Sequence, residues 1–153
     1  MVMELSRMVL VGLSLDKKTS NENGQSTVDC GSLWQKFIND NWFSRVPNKI
    51  SQQIFAVYHE YESDHTGKFA YFIGCRVSDE AEVPKGLQKL VVPRGTFEKF
   101  IAKGTMPGCI YETWTLIWAS PIKRAYQVDF EVYDDRSKDW NDAEVDIFVS
   151  VKE

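Results

Sequence analysis

The sequence predicts an α+β fold. Two pseudo-symmetric βαββ-type repeats, about residues 5–80 and 85–153, form one curved antiparallel sheet with two main helices on one face and a central ligand groove on the other. Three observations lead there. The period of the apolar residues runs strand, helix, hairpin twice over, and the hairpins open on matching tetrads, Phe55-Ala56-Val57-Tyr58 and Phe130-Glu131-Val132-Tyr133. A chain of 153 residues, 43% hydrophobic and 26% charged, is long enough and apolar enough for one folded domain, 1–153.

Each element has its own signal. Met8 to Leu15 is a run of apolar, strand-forming residues, and the polar stretch TSNENGQSTVD after it reads as a surface loop. Ser32 and Gln35 have capping-box spacing ahead of a stripe at Leu33, Trp34, Phe37, Ile38 and Trp42, an amphipathic helix that Pro47 ends. Ile54 to Glu62 and Phe69 to Ser78 are rich in aromatic and β-branched residues and flank a turn of Asp64, Thr66 and Gly67, so they pair as a hairpin. After the acidic connection DEAEVPKG, Leu87 to Val92 and Thr96 to Ala102 read as strands joined by the turn Pro93-Arg94-Gly95. A second helix follows Pro107, with Ile110, Tyr111, Trp114, Ile117 and Trp118 on one face, and Pro121 closes it. A last hairpin joins Gln127 to Asp134 with Glu144 to Lys152.

Alternation sorts the strand faces. Val145, Ile147, Val149 and Val151 belong under the helices, as do Phe130 and Val132 of the preceding strand. Glu131, Tyr133 and Phe148 then gather on the face away from the helices, with Ala56 and Tyr58 supplying the matching patch. A plainer account stands beside this one: most strand carboxylates are simply solvated, and Trp34, Trp42, Trp114 and Trp118 at helical spacing also suit an ordinary core. His59 and His65 read as surface residues, and Cys30, Cys75 and Cys109 as packed thiols.

Charge and composition exclude several classes. A formal net charge of −4 disfavours direct contact with nucleic acid, and no apolar run is long enough to cross a bilayer. The start lacks a signal-peptide cleavage site, which points to the cytoplasm. The cysteines and histidines have no metal-ligand spacing, so no metal or cofactor is expected. Twenty aromatic residues (five Trp, six Tyr, nine Phe) are the one compositional excess, and they suit a cavity that grips flat or charged ligands.

In order along the chain, LWQKF, IFAVYHEYES, YFIGCRVS, VPRGTFEKFIAKG, DFEVYDD and VDIFVSVKE resemble the bacterial effector-binding domain shared by gyrase-inhibitor-like proteins, AraC-type regulators and the sensors of multidrug regulators. The resemblance spans nearly the whole chain. It departs after the second helix, where IWASPIKRAYQ runs quickly to Asp129 and shortens one wall of the groove. With no room for a helix-turn-helix before Met8, the resemblance implies a stand-alone effector domain of the kind also found on mobile gene cassettes. It further implies a groove at the pseudo-two-fold axis with an acid at its base, matching Glu131, and lipophilic organic cations as ligands. The residues assigned to that groove are Glu131, Tyr133, Phe148, Tyr58, Trp114, Trp118, Trp34 and Tyr71. A carboxylate in an apolar cleft is costly to ionise without a cation, and each aromatic face adds about 0.5–2 kcal/mol of cation–π attraction.

Two other functions fit the same residues. Glu131 could act as general base with Tyr58 or Tyr133 in a slow hydrolase of electrophilic small molecules, although no nucleophile elbow accompanies them. Alternatively, acidic loops such as DEAEVPKG could dock on a basic protein partner.

Overall fold

A computed structural model describes residues 2–152; Met1 and Glu153, the two ends of the expected domain, lie outside the described residues. Eight antiparallel strands form one sheet. They are β1 (Val2–Leu5), β2 (Met8–Ser14), β3 (Ile54–His59), β4 (Ala70–Val77), β5 (Gln88–Val92), β6 (Gly95–Gly104), β7 (Val128–Tyr133) and β8 (Ala143–Ser150), in the order β1-β6-β8-β7-β3-β4-β2-β5. The helices are α1 (Gln25–Asn39), the single turn α2 (Trp42–Arg45) and α3 (Gly108–Ala119).

The predicted repeat is present. β2-α1-β3-β4 and β6-α3-β7-β8 have the same plan, and they meet at a central seam where β3 pairs with β7. The echoing tetrads face each other across that seam, Phe55 opposite Val132 and Val57 opposite Phe130. Ala56 lies opposite Glu131, so the acid's symmetry mate is a methyl group. The repeat therefore supplies one acid and a small residue that leaves room beside it.

Leu87–Val92 and Thr96–Ala102 do not form the hairpin that their turn residues predict. β5 pairs with β2, while β6 pairs with β1 and β8. The register runs on without a slip across both joints: Leu5 is opposite Gly95 and, three residues on, Met8 is opposite Val92. Thus β1–β2 and β5–β6 are two long strands bent at Ser6-Arg7 and Pro93-Arg94, lying against each other. A proline followed by two polar or flexible residues allows a bend as readily as a reversal. Because the ends of the sheet are joined through the chain in this way, the sheet curls back toward itself. All eight strands contribute to one apolar cluster inside the curl, including Leu10, Phe55, Phe72, Phe97 and Phe130. Gly12 and Gly74 face each other in that wall, where a Cβ on Gly12 would collide with the Ile73 carbonyl and Gly74 Cα.

The helices cover the outer face. Leu33 and Phe37 of α1 pack on Val9, Val11, Ile73 and Cys75, and Cys109, Trp114 and Ile117 of α3 pack on Val145, Ile147 and Val149. The sheet thus has a core on each side, which corrects the predicted placement of the groove. Glu131 is in register with Ile147, on the helix face, whereas Phe148 is opposite Phe130 and stacks on it at 5.0 Å inside the curl. Alternation gives the two faces of each strand, but cross-strand register decides which faces coincide. Phe130 and Val132 are apolar because they fill the second core and do not lie under the helices.

Two boundaries also differ. The polar stretch after Thr19 is helical from Gln25, led by Gly24 in a left-handed conformation (φ 71°), and Ser32 Oγ donates to the Val28 carbonyl instead of capping. Gln25, Thr27 and Val28 are exposed, so these first turns carry no apolar stripe. Trp42 lies beyond the end of α1, separated by left-handed Asn41. No helix among the described residues is long and apolar enough to cross a membrane.

Candidate functional site

The seam between α1 and α3, floored by β3 and β7, gathers six of the eight predicted residues. Glu131 is 1% exposed. Its Oε2 accepts hydrogen bonds from the Tyr58 hydroxyl (2.7 Å) and Trp114 Nε1 (2.6 Å), and its Oε1 accepts one from the Tyr133 hydroxyl (2.6 Å). Tyr58 and Tyr133 are equivalent in the repeat, so the pseudo-symmetry brings a phenol from each half onto one carboxylate. Trp34 of α1 packs edge-on against Tyr133 at 4.8 Å and donates through Nε1 to the Tyr71 hydroxyl at 2.8 Å. Tyr58 lies 5.0 Å from Tyr71 and 5.2 Å from Trp114. Both Tyr58 and Tyr133 touch the cores under both helices, which makes the seam a single aromatic layer.

Trp118 stands at the margin, stacked on His65 at 5.4 Å with the planes 17° apart, while the Asn21 side-chain amide donates to the His65 carbonyl. His65 is therefore part of a loop that bridges the two repeats and not an isolated surface residue. Phe148 is on the opposite face and is not part of the site. Open depressions of about 390 and 340 Å³ lie around Pro93–Phe97 with Gln127, and beside Asn21 and His65. Neither is lined by Glu131. In this conformation half-buried Tyr58 and Tyr133 hydrogen-bond the carboxylate and Trp34 packs on Tyr133, so Glu131 lies within a packed seam.

All three groups that hydrogen-bond Glu131 are uncharged. Burial pushes its pKa above the ordinary carboxylate range, and hydrogen bonds from Tyr133, Tyr58 and Trp114 pull part of that shift back. The folded protein thus holds this proton to higher pH than the unfolded chain does. Stability contributed by the group falls as pH rises from the ordinary carboxylate value through the raised one. Tyr58, Tyr71 and Tyr133 are pushed well above the usual phenol value, first by burial and then by neighbouring anionic groups, Glu131 among them. They stay protonated and can only donate to the acid or accept from elsewhere. Cys75 is pushed up to about 11 by burial, an inert thiol.

A second buried charge lies on the same strand face, two residues from Glu131. Asp129 is 0% exposed and accepts from Arg124 Nη2 (2.7 Å), the Tyr61 hydroxyl (2.5 Å) and the amide and hydroxyl of Ser150. The alternation that picked out Glu131 also puts Asp129 on this face. Only Arg124, on the irregular segment after α3, had no periodic signal to mark it.

Residues 2–151 match the description "integron-associated effector binding protein". The chain belongs to that family. An integron cassette protein from the mobile metagenome of Vibrio cholerae is 30% identical, over 99% of this chain and 94% of its own, with a TM-score of 0.73. YobU of Bacillus subtilis (strain 168), described provisionally as a transcriptional regulator protein, is 26% identical over 129 residues, 79% of this chain and 78% of its own. The structure of SAV2435, which holds tetraphenylphosphonium, shares the fold at a TM-score of 0.80 and 18% identity, covering 99% of this chain and 93% of that one. The effector-binding family thus accounts for the curled eight-stranded sheet, and the resemblance read from the six sequence motifs holds.

Proposed function

We propose that this effector-binding protein takes up lipophilic organic cations at Glu131. The observation that carries the reading is a fully buried carboxylate held, among the described residues, by three neutral donors and no cation, inside a layer of aromatic rings. A ligand cation supplies the missing counter-charge, and Tyr58, Trp114, Tyr133 and Trp34 supply flat, polarisable walls. Tyr133 and Trp34 are the half-buried rings through which those walls meet the surface. The relative that holds tetraphenylphosphonium supports this ligand class. The protein acts in the cytoplasm, where Cys30, Cys75 and Cys109 remain free thiols, as the sensing part of a response. Its net charge of −4 argues against its reading nucleic acid directly.

The test is a matched pair of nearly identical shape and opposite charge. Calorimetric titration is expected to show binding of tetraphenylphosphonium and none of tetraphenylborate. Equal affinity for both would sink the electrostatic reading. A pH series adds the sign: affinity for the permanent cation rises with pH through a carboxyl titration above the ordinary range, then levels off. Only the ionised Glu131 pairs with the cation, so binding releases a proton within that window. Titrations in two buffers of different ionisation heat measure that release.

A further inference from the structure

The Arg124 side chain is 5% exposed, yet two of its three guanidinium nitrogens, Nε and Nη1, are buried with no hydrogen-bond partner among the described residues. Buried donors seldom stay unpaired, and a guanidinium has five N–H groups to place. Asp129 cannot take more of them: Oδ2 already accepts from Arg124 Nη2 and Tyr61, and Oδ1 from the Ser150 amide and hydroxyl at 2.8 and 3.1 Å. Three aromatic rings also border the guanidinium. The guanidinium carbon lies 4.3 Å from the Tyr126 ring centroid, 5.7 Å from that of Trp114 and 5.8 Å from that of Tyr61.

Trp114 connects this arrangement to the seam, since its indole N–H is on Glu131 while its ring borders Arg124. One aromatic wall therefore has an anion at one end and unpaired donors at the other. Building on the cation-binding reading above, we propose that the Arg124 donors form a second subsite. The physiological ligands are then aromatic cations that also carry a neutral hydrogen-bond acceptor, a carbonyl oxygen, which Arg124 receives while Glu131 holds the positive charge. A neutral acceptor fits better than a carboxylate, because Asp129 already balances the guanidinium and would repel a second anion.

The experiment compares benzyltrimethylammonium with the same cation bearing a para-carboxamide, by calorimetric titration of the whole protein. The carboxamide is expected to bind about tenfold more tightly, the size of one hydrogen bond to a charged donor. In Arg124→Lys, which keeps the charge beside Asp129 but loses the planar fork, the ratio is expected to fall to near one. In the parent protein, the Arg124 Nε–H resonance is expected to shift on adding the carboxamide and not on adding the unsubstituted cation, a readout independent of whether the variant folds. Equal binding of the two cations, as when ordered water already satisfies both donors, overturns the subsite and leaves the Glu131 reading standing. A tenfold ratio that survives Arg124→Lys also overturns it. Failure of both cations to bind overturns the two readings together.

Discussion

Glu131→Gln is expected to weaken tetraphenylphosphonium binding about 100-fold or more, since losing one partner of a desolvated charge pair costs about 2–5 kcal/mol and each 1.4 kcal/mol is tenfold. The same substitution is expected to leave the thermal midpoint nearly unchanged. Glutamine keeps the shape of the side chain but offers one acceptor oxygen where Tyr58, Trp114 and Tyr133 now share two. It also removes a carboxyl whose ionisation is disfavoured by burial. The two effects on stability oppose each other, whereas both consequences for a cation, lost attraction and an added N–H dipole, point the same way. Binding by calorimetry and unfolding by differential scanning separate them. A variant that binds the cation as tightly as the parent ends the proposal. One that loses binding only because it unfolds shows that Glu131 holds the seam together and not the ligand. The pH dependence of binding is expected to disappear in this variant as well.

Asp129→Ala is expected to cost about 3–5 kcal/mol of folding stability, because it leaves the Arg124 guanidinium buried without a counter-ion. It also strips acceptors from Tyr61 and from the Ser150 amide and hydroxyl. For a chain of this size the midpoint falls by about 10 °C. The penalty comes from the uncompensated charge, so the double change Arg124→Met with Asp129→Asn is expected to recover more than half of it. Urea unfolding of the three proteins measures both quantities. If Asp129→Ala lies within about 1 kcal/mol of the parent, water reaches Arg124 and the pair is not buried.

The strands and their repeat were legible because a local period of two and a four-residue echo survive in one dimension. Phe55-Ala56-Val57-Tyr58 and Phe130-Glu131-Val132-Tyr133 proved to be partners across the central seam. Glu131 could be singled out because alternation sets it on the face opposite Phe130 and Val132 and because the resemblance implies an acid at that position. Its neighbours were assigned less well. Tyr58, Tyr133, Trp34, Tyr71 and Trp114 do converge, but Phe148 belongs to the other core, and Glu131 lies on the helix side of the sheet and not away from it. The first turns of α1 went unread because their exposed polar residues leave no stripe. The bend at Pro93-Arg94 went unread because the same residues permit a hairpin.

Local sequence was enough to show which side chains alternate, where helices must stop, and that Asp129 and Glu131 share one face of an otherwise apolar strand; these depend on residues within a few positions of one another. Tertiary structure alone decided which faces of neighbouring strands coincide, that the sheet has a core on each side, and that Arg124 and Asp129 meet beside Trp114. The physical reason is that register between distant strands is settled by the packing of the whole sheet, and a slip of one residue would send Glu131 to the opposite core while leaving every local pattern unchanged.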